Sequence, residues 1–279
     1  MEDQIKKYQT YERKLKFMLA CSGLWPNYEN YPNSVRKVII ICCGFVTFGI
    51  CFGAMNFCIH FGSNIGLLTR GGGILLGYSL VFLKVFLMGY YQTDLQKLKD
   101  TVSSSFAQDL KDPENRPHLL VYFPTIKTFF YIFNYFLLAN NVVMTTMPLH
   151  SLRQGKYIRA LPNIPPFSYE PGGNVHWMLY AFEIASFFFL WSVTCGVDSF
   201  FGYYVLHMVG EFRLLSVRFS RMKSGGKYRE ELKQYIDRHN QLIECQRILE
   251  KIFGFVAIWL GVTCAVSLCT LIWQLSRVD

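Results

Sequence analysis

Apolar residues in this chain come in long runs and do not alternate with polar ones. A bilayer core of about 30 Å needs roughly 20 mostly apolar residues in a helix. Five stretches reach that length, at about residues 38–59, 71–91, 119–147, 177–209 and 252–275. The first carries no charge, and the second holds Lys84. The third has Pro124 and Lys127 near its start, and the fourth is long enough to project beyond the bilayer. Lipid offers no partner to a backbone N–H or C=O, so such runs cross as helices. The pattern predicts an all-α, polytopic transmembrane helix bundle of five spans, one transmembrane domain over residues 1–279.

The connectors add detail. Leu232, Ile236, His239, Leu242, Ile243, Leu249, Ile252 and Phe253 recur at helical spacing, with a polar opposite face. Residues 210–251 are therefore expected to be helical extensions of spans four and five, packed together. Ser224-Gly225-Gly226 marks the expected break between them. Residues 150–174 hold Pro162, Pro165, Pro166, Pro171 and Gly172-Gly173, and predict an ordered but irregular cap. The first 30 residues are polar and mixed in charge, without the pattern of a cleaved signal peptide. The first span is then the insertion signal.

Charge sets the orientation. With the N-terminus in the cytosol, 21 Lys and Arg fall on the cytosolic side and 4 outside, and Arg70, Lys84 and Lys127 lie in or beside spans. Basic residues stay on the cytosolic side during insertion. Residues 1–37 are thus read as a cytosolic segment. A G-protein-coupled receptor, with its N-terminus outside, does not fit.

Composition agrees. The chain is 52% hydrophobic and only 17% charged, with a mean hydropathy of +0.22. A soluble domain carries nearer a quarter charged residues. The net charge of +9 belongs to one-sided loops that lack interleaved aromatics. The expected partner is the lipid bilayer and not nucleic acid. The nine cysteines form no CxxC pair, and most lie in apolar runs as space-filling thiols. No His pair has i,i+4 spacing, and Gly71-Gly72-Gly73 lacks the lysine and hydroxyl of a phosphate loop. No GxSxG, HExxH or plausible carboxylate pair occurs. No enzyme, metal or cofactor is expected.

Three stretches carry a family resemblance. The first is Arg159-Ala160-Leu161-Pro162, then Pro166-Phe167 and Tyr180. The second is Asp198-Ser199-Phe200, then His207 to Leu215 with Gly210, Glu211 and Phe212, and Arg218. The third is Tyr235-Ile236, His239, Leu242-Ile243, then Leu249-Glu250 and Ile252-Phe253. Together, in order, they resemble the insect odorant receptor family. The resemblance implies seven crossings with the N-terminus inside, and assembly with a shared odorant co-receptor. It also implies an odorant-gated, non-selective cation channel in the plasma membrane of olfactory sensory neurons. This sequence has no sixth or seventh span, so conduction by this chain alone is not expected. A gustatory receptor of the same superfamily is one alternative. A transporter or scaffold without ligand gating is another, though no internal repeat is visible.

The same resemblance implies a pocket for a small volatile ligand in the outer half of the bundle. Burial of apolar surface, at about 25 cal/mol per Å², supplies most of the affinity for such ligands. The candidates are Leu75 and Tyr78 on span two, Asn140 and Met144 on span three, and Tyr180, Ile184 and Phe187 on span four. Asn140 stands out because an amide in hydrocarbon needs a partner. Charges inside spans also need a reason. Asp198 is expected to pair with Lys84 or Lys127, and Glu183 with Arg70. Gly49-x-x-x-Gly53 and Gly73-x-x-x-Gly77 would let helices approach closely. His207 and His239 are expected to bond within the helical extensions of spans four and five.

Overall fold

A computed structural model describes residues 2–26, 32–222 and 228–276. The expected break at residues 224–226 lies outside them. The described residues form helices α1 (Glu2–Cys21), α2 (Asn33–His60), α3 (Ile65–Tyr90), α4 (Gln92–Asp109), α5 (Arg116–Leu119), α6 (Phe123–Arg153), α7 (Asn174–Ser220) and α8 (Tyr228–Leu275). The chain is an all-α bundle of a multi-pass membrane protein.

Four helices are long and apolar enough to cross a membrane: α2, α3, α7 and α8. The third predicted span, α6, has 31 residues but falls short of that hydropathy. Asn134, Asn140 and Asn141 and its tyrosines lower its mean. Its outer face is nonetheless apolar, with Phe129, Ile132, Phe136, Val143 and Met147 exposed. A face this greasy is stable against lipid and not against water.

Local chemistry moves several boundaries. The Asn64 side chain accepts the Leu67 N–H at 3.2 Å, so α3 starts before residue 71. The predicted run at 119–147 is split. The short helix α5 ends at Leu119, and α6 begins at Phe123 with Pro124 in its first turn, where no N–H is needed. Pro148 lies inside α6 and withdraws the helical donor from the Met144 carbonyl. The cysteines are only partly packing thiols. Cys43, Cys195 and Cys245 are buried, while Cys42, Cys264 and Cys269 face outward.

All the other described helices touch α7. Its buried residues do not keep to one stripe, as expected of a helix enclosed on all sides. At Gly210 an added Cβ would lie 2.9 Å from the Leu119 carbonyl oxygen, so the missing side chain lets α5 approach.

At the basic end, two helices that hydropathy does not reveal complete the core. The buried residues of α1 are Tyr8, Tyr11, Leu15, Met18 and Leu19, and those of α4 are Leu95, Leu98, Val102 and Phe106. Each set lies along one helical face. Between them His207 of α7 is almost fully enclosed. Its Nε2 is 2.7 Å from the Tyr8 hydroxyl, which donates to Tyr203 at 3.0 Å, and Phe106 stacks on the imidazole at 3.8 Å. Burial raises the Tyr8 and Tyr11 phenols above their ordinary range, so both remain neutral. His207 thus bonds to α1 and not within the α7–α8 pair. His239 packs its ring against Phe212 instead.

The extensions of α7 and α8 pack together, with Leu242, Leu249, Ile252 and Phe253 buried. Ile236 is exposed despite its periodic place. Ion pairs tie this layer across helices. Arg238 meets the buried Glu211 at 3.2 Å, Arg218 meets Asp109 at 2.5 Å, and Lys251 meets Asp94 at 3.1 Å.

Removing the Phe106 ring empties the space over His207. Phe106→Ala is expected to cost about 3 kcal/mol, seen as a lower melting temperature of the purified chain. Phe129→Ala, on the outward face of α6, is expected to leave it nearly unchanged.

Candidate ligand-binding site

The predicted site residues divide into those that converge and those that face away. Tyr78 of α3 and Phe187 of α7 are buried in one cluster with Ile50 of α2 and Leu161 of the 154–173 loop. Met144 of α6 and Ile74 of α3 pack against it. The Tyr78 hydroxyl lies 2.8 Å from Ser186 Oγ. Leu75 is half-buried beside this cluster in sequence.

Tyr180 is nearly buried, and its hydroxyl donates to the Thr145 carbonyl at 2.6 Å. It also borders a cleft of about 10 Å³, room for roughly one water. Asn140 and Ile184 are exposed on the outside of the bundle. A helical turn of 100° per residue explains the first miss. The neighbouring Asn141 points inward, and its Nδ2 donates to the Phe187 carbonyl at 3.0 Å. Its buried Oδ1 has no hydrogen-bond partner among the described residues. The sequence showed two adjacent amides; only the face of α6, known once its partner is known, selects between them.

Lys84 and Asp198 come together, with Nζ 2.6 Å from Oδ1. Lys84 is 1% exposed, whereas the Asp198 side chain is 40% exposed. Lys127 lies elsewhere, with its ammonium over the Tyr131 ring at 5.8 Å. Glu183 pairs with Arg159 at 2.8 Å and not with Arg70, which is exposed. The loop explains the choice: the Ala160 N–H donates to Glu183 Oε2 at 3.1 Å, which brings Arg159 to the buried carboxylate. The loop meets α2 where the Ile164 N–H donates to the Gly53 carbonyl at 3.0 Å.

A larger groove lies on the α2 side of α7. Its volume is about 660 Å³, and Phe45, Gly49, Phe182, Arg159, Asn163 and Phe167 are among its walls. None of the seven predicted residues lines it. The Gly49–Gly53 pair has its explanation here. A Cβ at Gly49 would meet the Phe182 ring at 2.9 Å, and one at Gly53 would meet Asn163 at 3.1 Å. Gly73 and Gly77 face open space and support no close approach.

The walls are apolar and carry few polar atoms, and the buried charges pair with another helix or with the loop. Residues 64–278 match the family model described as "7tm Odorant receptor". The chain therefore belongs to the seven-transmembrane odorant receptor family, a family of ligand-binding receptors. Its fold is similar to that of the insect olfactory receptor OR5 from Machilis hrabei, at a TM-score of 0.77 and 14% identity, covering 98% of this chain and 73% of that one. The same receptor in complex with eugenol matches at a TM-score of 0.72 and 16% identity, covering 99% and 73%. None of the curated proteins matches.

The ion pair generates a test. Asp198→Asn strands the buried Lys84 ammonium and is expected to cost on the order of 2 kcal/mol, the half-exposed aspartate keeping it below a fully buried pair. Surface labelling of intact cells should fall for Asp198→Asn. Adding Lys84→Met should recover it, and adding Lys127→Ala should not.

Proposed function

We propose that this chain is an odorant receptor subunit of the plasma membrane of olfactory sensory neurons. It binds a small volatile ligand in the outer half of its bundle and, with an odorant co-receptor, gates a non-selective cation channel. Family membership supports the receptor class, and OR5 of Machilis hrabei has been solved in complex with eugenol. One observation carries the placement of the ligand. Asn141 presents an unpartnered, buried acceptor, and its amide bonds to the backbone of Phe187, whose side chain clusters with Tyr78 and Met144. A hydroxyl-bearing ligand with an apolar body would donate to that oxygen and bury its remainder against the three side chains. Leu75, half-buried on α3, and Tyr180, bonded to the Thr145 carbonyl of α6, are further candidates. Asn140 and Ile184, being exposed, contribute nothing to the site.

The groove beside Phe182 is the second reading, since its volume falls in the range of small-molecule sites, about 300–1,000 Å³. Two substitutions separate the readings. The test is current from cells that express this chain with the co-receptor, scanned with volatile alcohols and phenols. If the ligand lies at Asn141, Phe187→Ala raises the half-maximal concentration about tenfold or more, the loss expected from removing a buried ring contact. Phe182→Ala then has little effect. The reverse order favours the groove, and equal silence of both changes refutes both placements.

A further inference from the structure

A second trough lies between α2 and α3, at the opposite end from the loop of residues 154–173. Its volume is about 410 Å³. Phe82, Phe86 and Ile40 form apolar walls, and Lys37 and Gln92 stand at one end. Glycine opens it. Gly44 lines the trough, and a Cβ there would meet nothing within 4 Å. Gly89 lines the facing side on α3. From Phe82 to Tyr90 the trough follows α3 for roughly 12 Å, at 1.5 Å per residue.

The polar end is basic. Arg36 precedes Lys37, and its Nη2 donates to Gln92 Oε1 at 2.7 Å, which fixes that amide at the mouth. Asp94, the acid just beyond Gln92, is already engaged by Lys251 at 3.1 Å. The trough thus pairs a greasy channel open to lipid with cationic charge at the depth of the headgroups. The one-sided lysines and arginines place that end in the cytosolic leaflet.

We propose that this trough is a binding site for an anionic phospholipid of the cytosolic leaflet. One acyl chain lies along Gly44 between Phe82 and Phe86, and the headgroup meets Lys37 and Arg36. A neutral lipid gains the channel but not the charge contact; a soluble anion gains the charge contact but not the channel. The inference rests on the fold and the charge orientation, and is independent of where an odorant binds.

The test uses the full chain reconstituted in nanodiscs of phosphatidylcholine mixed with phosphatidylserine, with retained lipid read by native mass spectrometry. The wild type is expected to retain phosphatidylserine in preference to phosphatidylcholine. Lys37→Ala should cut that preference about fivefold, the worth of one basic side chain beside an anionic surface. Gly44→Leu should fill the channel and reduce retention of both lipids. Because its new side chain meets no protein atom at Cβ, its melting temperature in phosphatidylcholine alone should match the wild type. Equal retention of the two lipids by the wild type would overturn the proposal. So would a serine-lipid preference that survives both substitutions.

Discussion

Lipid has no hydrogen bonds to give, and that single constraint organises this molecule. Polar groups within the apolar half are satisfied by their own helix's carbonyls, as at Thr47, or by another helix or the loop of residues 154–173. Most of the partners outside a group's own helix are on α7. Asp198 takes Lys84, Glu183 takes Arg159, the Phe187 carbonyl takes Asn141, Ser186 meets Tyr78, and Trp191 donates to Asn134 at 2.9 Å. Each neutral contact of this kind is worth only about 0.6 kcal/mol, but together they set the register of α3 and α6 against α7. Apolar packing then fills what the polar contacts have aligned.

The helix that gathers these contacts is 47 residues long and has no proline. At 1.5 Å per residue it runs about 70 Å, more than twice the hydrocarbon core. Its one end forms the cluster with Tyr78, Met144 and Asn141. Its other end carries His207, Glu211 and Arg218 into the layer made with α1, α4 and α8. The basic end is the better packed, with large rings enclosed around His207. The cluster around Phe187 has an unpartnered acceptor next to it, Asn141 Oδ1.

Much of this was legible from the chain. Hydropathy alone located α2, α3, α7 and the membrane half of α8, because a 20-residue apolar run has one stable state in lipid. The helical extension of α8 was legible from period. What failed had physical causes. The faces of α1 and α4 are five and four residues wide in ordinary amphipathic helices, so a search for spans passes over them, though the spacing of Tyr8, Tyr11, Leu15 and Leu19 would have revealed the first. Asn140 and Asn141 could not be told apart because helix rotation is set by neighbours and not by the run itself. Arg159 was missed as the partner of Glu183 because it arrives on a proline-rich loop, and only the tertiary path of that loop brings it there. The partner of Asp198 was legible only as one of two lysines; the facing of α3 against α7 selects Lys84, 2.6 Å away, over Lys127.

The account stands on α7 as the helix that satisfies its neighbours' polar groups. Glu183 is the sharpest case, since its side chain is 0% exposed. The direct measurement is a double-mutant cycle of Glu183→Gln and Arg159→Met, read by thermal unfolding of the reconstituted chain. The account predicts strong coupling: either change alone lowers the melting temperature, and the two together do little further harm. Effects that simply add would show that the two charges ignore each other, and would contradict it.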